Sequence, residues 1–378
     1  MSRLEQLIQE LCPDGVIFSN ISQVLTIRNG KDYKGFAEGD IPVYGSGGIM
    51  TYIDTAAYEK ASVLIPRKGS LDKLYYVDVP FWTVDTIFYT EIDETKVLPR
   101  YVFYYLQSQH LEQLNKAGGV PSLTQAELNR VKIPVPPLPV QQEIVRILDS
   151  FTKLTAELTA ELTARRKQYE YYRDGLLSLD APYYSLQELC DIVDYRGKTP
   201  KKVDRGIFLV TAKNIRKGYI DYEKSQEFIA DEDYADVMRR GLPQIGDVLI
   251  TTEAPCGNVA QIDNENIALA QRVIKYRPKK SSLNSTFLKH ILLGTEFQNK
   301  LLSTATGGTV KGIKGSKLHQ LKIPVPPLSE QARIVSILDR FDSLCNSLTS
   351  GLPAEIEARQ KQYEYYRNKL LSFKEKTV

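Results

Sequence analysis

The chain has 378 residues, a net charge of +3 and 42% hydrophobic against 25% charged residues. That is the balance of a globular protein too long for one core, far from the cationic excess of chains that hold nucleic acid by charge alone. Four scattered cysteines and three histidines form neither a Cys-x-x-Cys pair nor a ligand spacing, so neither a disulfide framework nor a zinc site is supported. No apolar run approaches the roughly 20 residues that span a bilayer, and the amphipathic start Met1-Ser-Arg-Leu-Glu-Gln-Leu-Ile is not a signal peptide, so a cytoplasmic location without membrane contact is expected.

Residues 1–131 read as a first variable unit. Ser2 can cap a short helix over Leu4, Leu7, Ile8 and Leu11 that Pro13-Asp-Gly15 stops. Four short runs rich in β-branched and aromatic residues come next: Ile41–Tyr44, Ser62–Ile65, Leu74–Val77 and Val84–Tyr89. Glycine and aspartate separate them, so strands of a mostly antiparallel sheet are expected. A helix over Arg100–Lys116 and the pair Gly118-Gly119 succeed these runs, and Thr124-Gln-Ala-Glu127 spells a capping box for one more short helix.

At Lys132-Ile-Pro-Val-Pro-Pro-Leu138 the prolines fix φ and push the residues before them out of the helical region, giving a rigid extended hinge. Behind it, residues 141–177 carry an apolar seam. Steps of four and three from Ile144 visit Leu148, Phe151, Thr155, Leu158, Leu162, Arg165, Tyr169, Tyr172 and Leu176, a coiled-coil repeat with only Thr155 and Arg165 out of character.

The plan then repeats. Residues 180–321 form a second variable unit, with a helix opened by Ser185-Leu-Gln-Glu188, strands at Ile207–Val210 and Asp247–Thr251, and a helix over Phe287–Leu302 leading to Gly307-Gly308. The hinge text returns at Lys322–Leu328, 322 − 132 = 190 positions on, and Ile144-Val-Arg-Ile-Leu-Asp149 returns as Ile334-Val-Ser-Ile-Leu-Asp339 at the same offset. Lys167-Gln-Tyr-Glu-Tyr-Tyr-Arg173 returns at Lys361, 361 − 167 = 194 positions on. The four extra residues insert a stutter at Gly351-Leu-Pro353, where a kink or break is expected. The expected fold is α+β: two β-rich units with pseudo-two-fold symmetry, separated by two long antiparallel coiled-coil helices, in segments 1–131, 132–179, 180–321 and 322–378. The loops differ between the copies, as a reader of two different half-sites would need.

No catalytic motif survives inspection. Val135-Pro-Pro-Leu138 lacks the amide or carboxylate and the aromatic ring of an amino-methyltransferase site. Gly45-Ser-Gly-Gly48 is followed by no Lys-Ser/Thr and reads as a turn.

Over essentially its whole length the chain resembles the specificity subunit of a type I restriction–modification system. The marks are Lys-Ile-Pro-Val-Pro-Pro-Leu followed by Gln-x-x-Ile-Val-x-Ile-Leu-Asp, both present twice, and the Thr-Ala-Glu-Leu tetrads at Thr155–Leu158 and Thr159–Leu162. The resemblance implies that each variable unit is a target-recognition domain reading one half of a split sequence in double-stranded DNA. It implies that the helices space the halves and bind two modification subunits, with restriction subunits joining where the system has them. It implies a non-catalytic chain without its own cofactor: S-adenosylmethionine belongs on the modification subunits, ATP and Mg on a restriction subunit. A coiled-coil scaffold whose duplicated units bind proteins is the alternative, and salt-dependent binding to duplex DNA separates the two.

Phosphate contacts want Arg and Lys, while base edges are read by bidentate Arg, Lys, Asn and Gln and by small hydroxyl groups on loops. By that chemistry the DNA-binding candidates are Ser46, Arg67, Lys68, Ser70 and Lys73 in the first unit. In the second they are Lys213, Asn214, Arg216, Lys217, Thr252, Gln271, Arg272, Thr309 and Lys311. Candidates for the helical spacer and subunit interface are Ile144, Leu148, Phe151, Leu158, Leu162, Tyr169, Ile334, Leu338, Phe341, Leu348 and Tyr363.

Overall fold

The Ser2 hydroxyl accepts the Glu5 amide at 3.3 Å while the Glu5 carboxylate accepts the Ser2 amide at 2.7 Å, so α1 (Arg3–Leu11) starts where its capping box predicts. The computed structural model describes residues 2–115, 119–195, 200–279, 281–308, 310–346 and 351–376. The features expected at Lys116, Gly118, Thr309 and Leu348 lie outside the described residues. The chain forms two compact units, Met1–Glu157 with Glu357–Val378, and Leu158–Ile356.

The first unit continues through β1 (Ile17–Asn20), β2 (Leu25–Asn29), β3 (Ile41–Gly45), β4 (Gly48–Ile53), β5 (Ser62–Pro66), β6 (Tyr75–Val77), β7 (Trp82–Thr83) and β8 (Ile87–Ile92). These make an antiparallel sheet ordered β2-β8-β5-β6 and a smaller sheet β4-β3-β7, in which β3 and β7 run parallel. Strand β5 is buried along its whole length. Val63 and Ile65 enter the main core and Leu64 a second cluster with Phe81 and Ile87, and burial on both faces calls for an unbroken apolar run. The strand expected from Val84 begins only at Ile87, because the Ile87 amide turns back to the Val84 carbonyl at 3.1 Å.

Next come α2 (Pro99–Ser108), α3 (Gln125–Leu128), the hinge strand β9 (Lys132–Val135) and α4 (Leu138–Leu177). Helix α2 stops short of the expected Lys116: His110 adopts φ 47°, and a single 3-10 turn over Leu111–Leu114 succeeds it. The hinge pairs antiparallel with β1 from Ile17↔Val135 to Asn20↔Lys132, a two-stranded ribbon where proline's missing N–H is tolerated. Helix α4 has 40 residues, about 60 Å at 1.5 Å per residue.

The second unit runs through β10 (Tyr183–Ser185), α5 (Leu186–Leu189), β11 (Cys190–Asp194), β12 (Ile207–Val210), β13 (Phe228–Ile229), α6 (Tyr234–Val237), β14 (Val248–Thr252), β15 (Cys256–Gln261), β16 (Ile267–Leu269) and β17 (Val273–Pro278). It ends with α7 (Ser285–Leu293), α8 (Thr295–Thr304), α9 (Gly315–His319), the hinge strand β18 (Lys322–Pro324) and α10 (Leu328–Asn346). Its topology is that of the first unit: β11-β17-β14-β15 antiparallel, β13-β12-β16 with β12 and β16 parallel, and hinge β18 paired with β10. The single helix expected over Phe287–Leu302 is two helices, parted at Gly294, which is extended at φ −63°, ψ 146°. Glycine is a poor helix former, and a Cβ here would stand 3.1 Å from the Leu177 side chain.

Helix α10 ends at Asn346 and α11 (Leu352–Leu370) starts at Leu352 with Pro353 in its first turn, so Gly351-Leu-Pro353 falls at a helix start rather than within one. Inside the second unit the later half of α4 packs antiparallel on α10. Tyr169 and Tyr172 both stack on Phe341, centroids 6.1 and 5.7 Å away, and Arg166 donates to the Cys345 carbonyl at 3.4 Å. Inside the first unit Phe151 of α4 stacks on Tyr366 of α11 at 5.5 Å. No described helix is long and apolar enough to cross a membrane.

Candidate nucleic-acid interface

A proline-rich hinge leaves carbonyls that need partners from elsewhere. The buried Gln141 amide supplies them: its oxygen accepts the Leu98 amide at 2.8 Å, and its nitrogen donates to the Lys96 and Pro136 carbonyls at 2.8 and 2.7 Å. Gln331 does the same, accepting from Asn284 and donating to Ser282 and Pro326, each at 2.8 Å. Each hinge is thereby locked to the entry of its unit's domain helix, α2 or α7. Further along α4, Asp149 accepts the Tyr104 hydroxyl and, at 2.8 Å, Arg100 Nε. Burial first, then that carboxylate, pushes the Tyr104 phenol far above its ordinary range.

On this base each unit raises a rim at the end of its central strand. In the first, the chain leaves β5 at Arg67, whose amide donates to the Thr86 carbonyl at 2.9 Å and whose carbonyl accepts the Leu123 amide at 2.9 Å, while Lys68 pairs with Ser122. Gly69, at φ +86°, turns the chain beside Ser46 and donates its amide to the Pro121 carbonyl at 3.1 Å. The Ser46 amide donates to the Thr86 hydroxyl at 3.3 Å. Ser46, Arg67, Lys68 and Ser70 are therefore brought together. The Arg67 guanidinium lies 5.9 Å from the Phe88 ring centre and donates to the Asp85 carbonyl at 3.3 Å. Lys68, Ser70 and Lys73 are exposed, Lys73 one turn beyond Ser70.

The second unit repeats the three contacts that tie Arg67 and Lys68 into this frame. The Thr252 amide donates to the Arg272 carbonyl at 2.8 Å, the Thr252 carbonyl accepts the Ile313 amide at 2.9 Å, and Glu253 pairs with Gly312. Corresponding positions are found by subtraction: 252 − 67 = 185, 272 − 86 = 186 and 312 − 122 = 190. Every side chain there differs: Arg67 becomes Thr252, Lys68 becomes Glu253, Thr86 becomes Arg272 and Ser122 becomes Gly312. The result is a cleft of about 420 Å³ walled by Glu253, Gln271, Arg272, Thr306, Val310 and Lys314 among others. Arg272 holds a left-handed φ of 70°, unusual for a residue with a side chain and typical of functional rims. Its Nε lies 3.6 Å from the Glu253 carboxylate, both side chains about half exposed.

The structure thus brings Thr252, Gln271 and Arg272 to one cleft, beside the loop that carries Lys311. Glu253, which the sequence places with Thr252 at a strand end, belongs to the rims as well, as do Lys314, Thr86 and Ser122, which sequence reasoning missed. The Lys213–Lys217 loop sits elsewhere, on β15 and α10: the Gly218 amide donates to the Val259 carbonyl at 2.8 Å, and a Cβ on Gly218 would stand 3.4 Å from Asp342. Asn214 must be corrected as a DNA contact. It is fully buried, its oxygen accepting from Thr211 and its nitrogen donating to the Asp221 and Lys224 carbonyls, so its amide shapes the loop from inside. Arg216 pairs with Asp221 at 3.3 Å, leaving Lys213 and Lys217 exposed.

The helical candidates divide in two. Ile144 and Leu148 are buried in the first core, Ile334 and Leu338 in the second, so they seat each helix on its own unit and present nothing to a separate protein. Phe151 and Tyr363 in the first unit, and Leu158, Leu162, Tyr169 and Phe341 in the second, lie further along the helices, only Tyr169 among them fully buried.

A family model described as type I restriction modification DNA specificity domain matches residues 13–165 and again 180–358. The chain is 33% identical over 356 residues to S.HindORF215P of Haemophilus influenzae, named among type I restriction enzyme specificity subunits, covering 89% of each chain. It is 37% identical over 301 residues to the EcoR124I/EcoR124II specificity subunit of Escherichia coli, covering 75% of this chain and 73% of that one. Its fold matches the S subunit of a type I restriction–modification system from M. genitalium at a TM-score of 0.58, with 16% identity over 94% of this chain and 96% of that one.

Proposed function

The chain belongs to the family of type I restriction–modification DNA specificity domains, and from that premise we propose that it is the specificity subunit of such a system, each unit reading one half of a bipartite DNA target. The observation that carries the reading is the duplicated rim. One hydrogen-bonded frame is built twice, and the residues at all four of its compared positions differ, so the two units keep one docking geometry and read different bases. Lys68 and Lys73 in one unit and Lys311 and Lys314 in the other are exposed for phosphates.

The helices hold the reading units and dock two modification subunits, one on each repeat. The seam is occupied by the chain's own cores, so docking falls to the outer faces, where Tyr171 and Tyr365 of the two Gln-Tyr-Glu-Tyr-Tyr runs are 77% and 62% exposed. Chemistry is left to the partners, the modification subunits bringing S-adenosylmethionine and a restriction subunit, where one joins, ATP and Mg. A protein-binding scaffold would not require a rim with one frame and rewritten hydrogen-bonding side chains.

The test is to exchange residues 180–321 for the same segment of a relative and map methylated adenines in cells that also carry the modification partner. One half of the methylated sequence should change. A change in both halves, or none, overturns the modular reading.

A further inference from the structure

Val120 and Val310 are 190 positions apart, 310 − 120 = 190, and stand at the same point of the two rims. Each is three residues before the amide that closes the frame, Leu123 onto Arg67 and Ile313 onto Thr252. Glycine precedes both, Gly119 immediately and Gly308 two residues back, and in the second loop Gly307 needs its freedom at φ +117° because a Cβ would stand 2.2 Å from the Val310 carbonyl oxygen. The valines are 70% and 55% exposed. A lone exposed valine is ordinary. Two at one place of a duplicated frame are not scatter, since the four frame positions Arg67, Lys68, Thr86 and Ser122 are all rewritten in the second copy.

Resting on the DNA-reading function above, we infer that Val120 and Val310 form a paired apolar contact with the DNA duplex that is independent of its sequence. A side chain kept in both units cannot distinguish two different half-sites, so its work must be common to both. An isopropyl group offers no hydrogen bond and gains only by leaving water, against sugar and base-edge surface in a groove. The charges beside each loop suit that partner: Lys68 faces Ser122 in the first rim, and Lys311 and Lys314 flank Val310 in the second. Lysines hold phosphates while the valine packs between them.

The experiment uses the full chain with its modification subunits and, as probe, the labelled duplex most enriched by the wild-type complex from a randomised pool. V120T and V310T keep the side-chain shape and remove its apolar character. Each should weaken binding by about tenfold, and the double variant by the product. The slope of log affinity against log salt should stay unchanged, because no counterion is released by a valine, whereas K68A should lower it by about one. Thermal midpoints should not move, since both side chains are exposed. Wild-type binding with undiminished affinity in both variants overturns this contact alone. A variant that changes which bases are selected overturns its sequence independence. Failure of the wild-type complex to select or bind any duplex in a salt-dependent way overturns the DNA-reading function, and this contact with it.

Discussion

His290 lies wholly buried with Nε2 2.8 Å from the Asp339 carboxylate, in the place where the first unit sets Tyr104 against Asp149. Lys289 Nζ is 3.6 Å from the same carboxylate and 3.2 Å from Asp342, and the Tyr169 hydroxyl is 3.4 Å from His290 Nδ1. Burial holds the imidazole below its usual 6.5, outweighing Asp339. Burial raises the Asp339 carboxyl, but hydrogen bonds from His290 and Lys289 hold it below its usual 3.8. Both shifts act in one direction. The unfolded chain takes up protons before the folded one does, so this joint is at full strength above about pH 6.5 and weakens as pH falls. The thermal midpoint of the second unit should drop between about pH 7 and pH 5, and H290Q should flatten that stretch of the profile. An equally steep fall in H290Q would place the acid sensitivity elsewhere.

Replacing Gln141 or Gln331 by leucine keeps the volume and orphans one amide and two carbonyls in a buried place. Each change should reduce stability by about 2–4 kcal/mol, read from urea unfolding. A loss below about 1 kcal/mol would mean that water replaces the amide.

Arg272 is the side chain of the second rim best shaped for a guanine edge, which it can meet with two parallel N–H donors. R272A should relax discrimination at one base position of one half-site by about 1–3 kcal/mol and leave the other half untouched, as read by methylation mapping. Relaxation across several positions would assign Arg272 to the phosphate backbone.

Tyr171 and Tyr365 should anchor the modification subunits. Y171A with Y365A, both surface changes, should leave the chain's melting unaltered but reduce the modification subunit recovered by co-purification by tenfold or more, as large aromatic anchors do on about 2 kcal/mol each. Undiminished recovery would remove the two tyrosines from the interface.

The repeated tetrads allow a test of spacing. Deleting Thr159–Leu162 shortens α4 by about 6 Å and turns the remainder of the helix by roughly 40°. The seam absorbs four residues as a stutter. The deletion should keep both half-sites and alter only the number of unspecified base pairs between them. An unchanged spacer with full methylation would show that α4 is not the ruler.

What was legible in the sequence is what depends on near neighbours. Ser2 with Glu5 and Thr124 with Glu127 cap helices across three residues, and proline makes the hinge extended wherever it occurs. The duplication was legible because text can be compared with text. The rims were legible only in part. Lys68 meets Ser122, and Arg67 meets Thr86, through strand pairing that no local pattern announces, so Ser122 and Thr86 went unnamed beside the more obviously basic residues. Asn214 looked like a base reader because its composition says nothing of the Asp221 and Lys224 carbonyls that claim its amide. The seam at Ile144, Leu148, Ile334 and Leu338 fits a coiled coil equally well as a docking face, and only the presence of Tyr101 and Val102 in the first core and of Phe287 and Leu288 in the second decides between them.

The chain passes between its two compact units at Glu157–Leu158 and again at Ile356–Glu357, and both crossings lie inside helices, α4 and α11. A border of this kind contains no tether. A protease that cuts exposed, extended chain finds no substrate at either crossing, and neither unit can be released without tearing helix from the core that seats it. Melting is affected in the same way, because loss of either core frays a hydrogen-bonded ladder that runs on past the crossing.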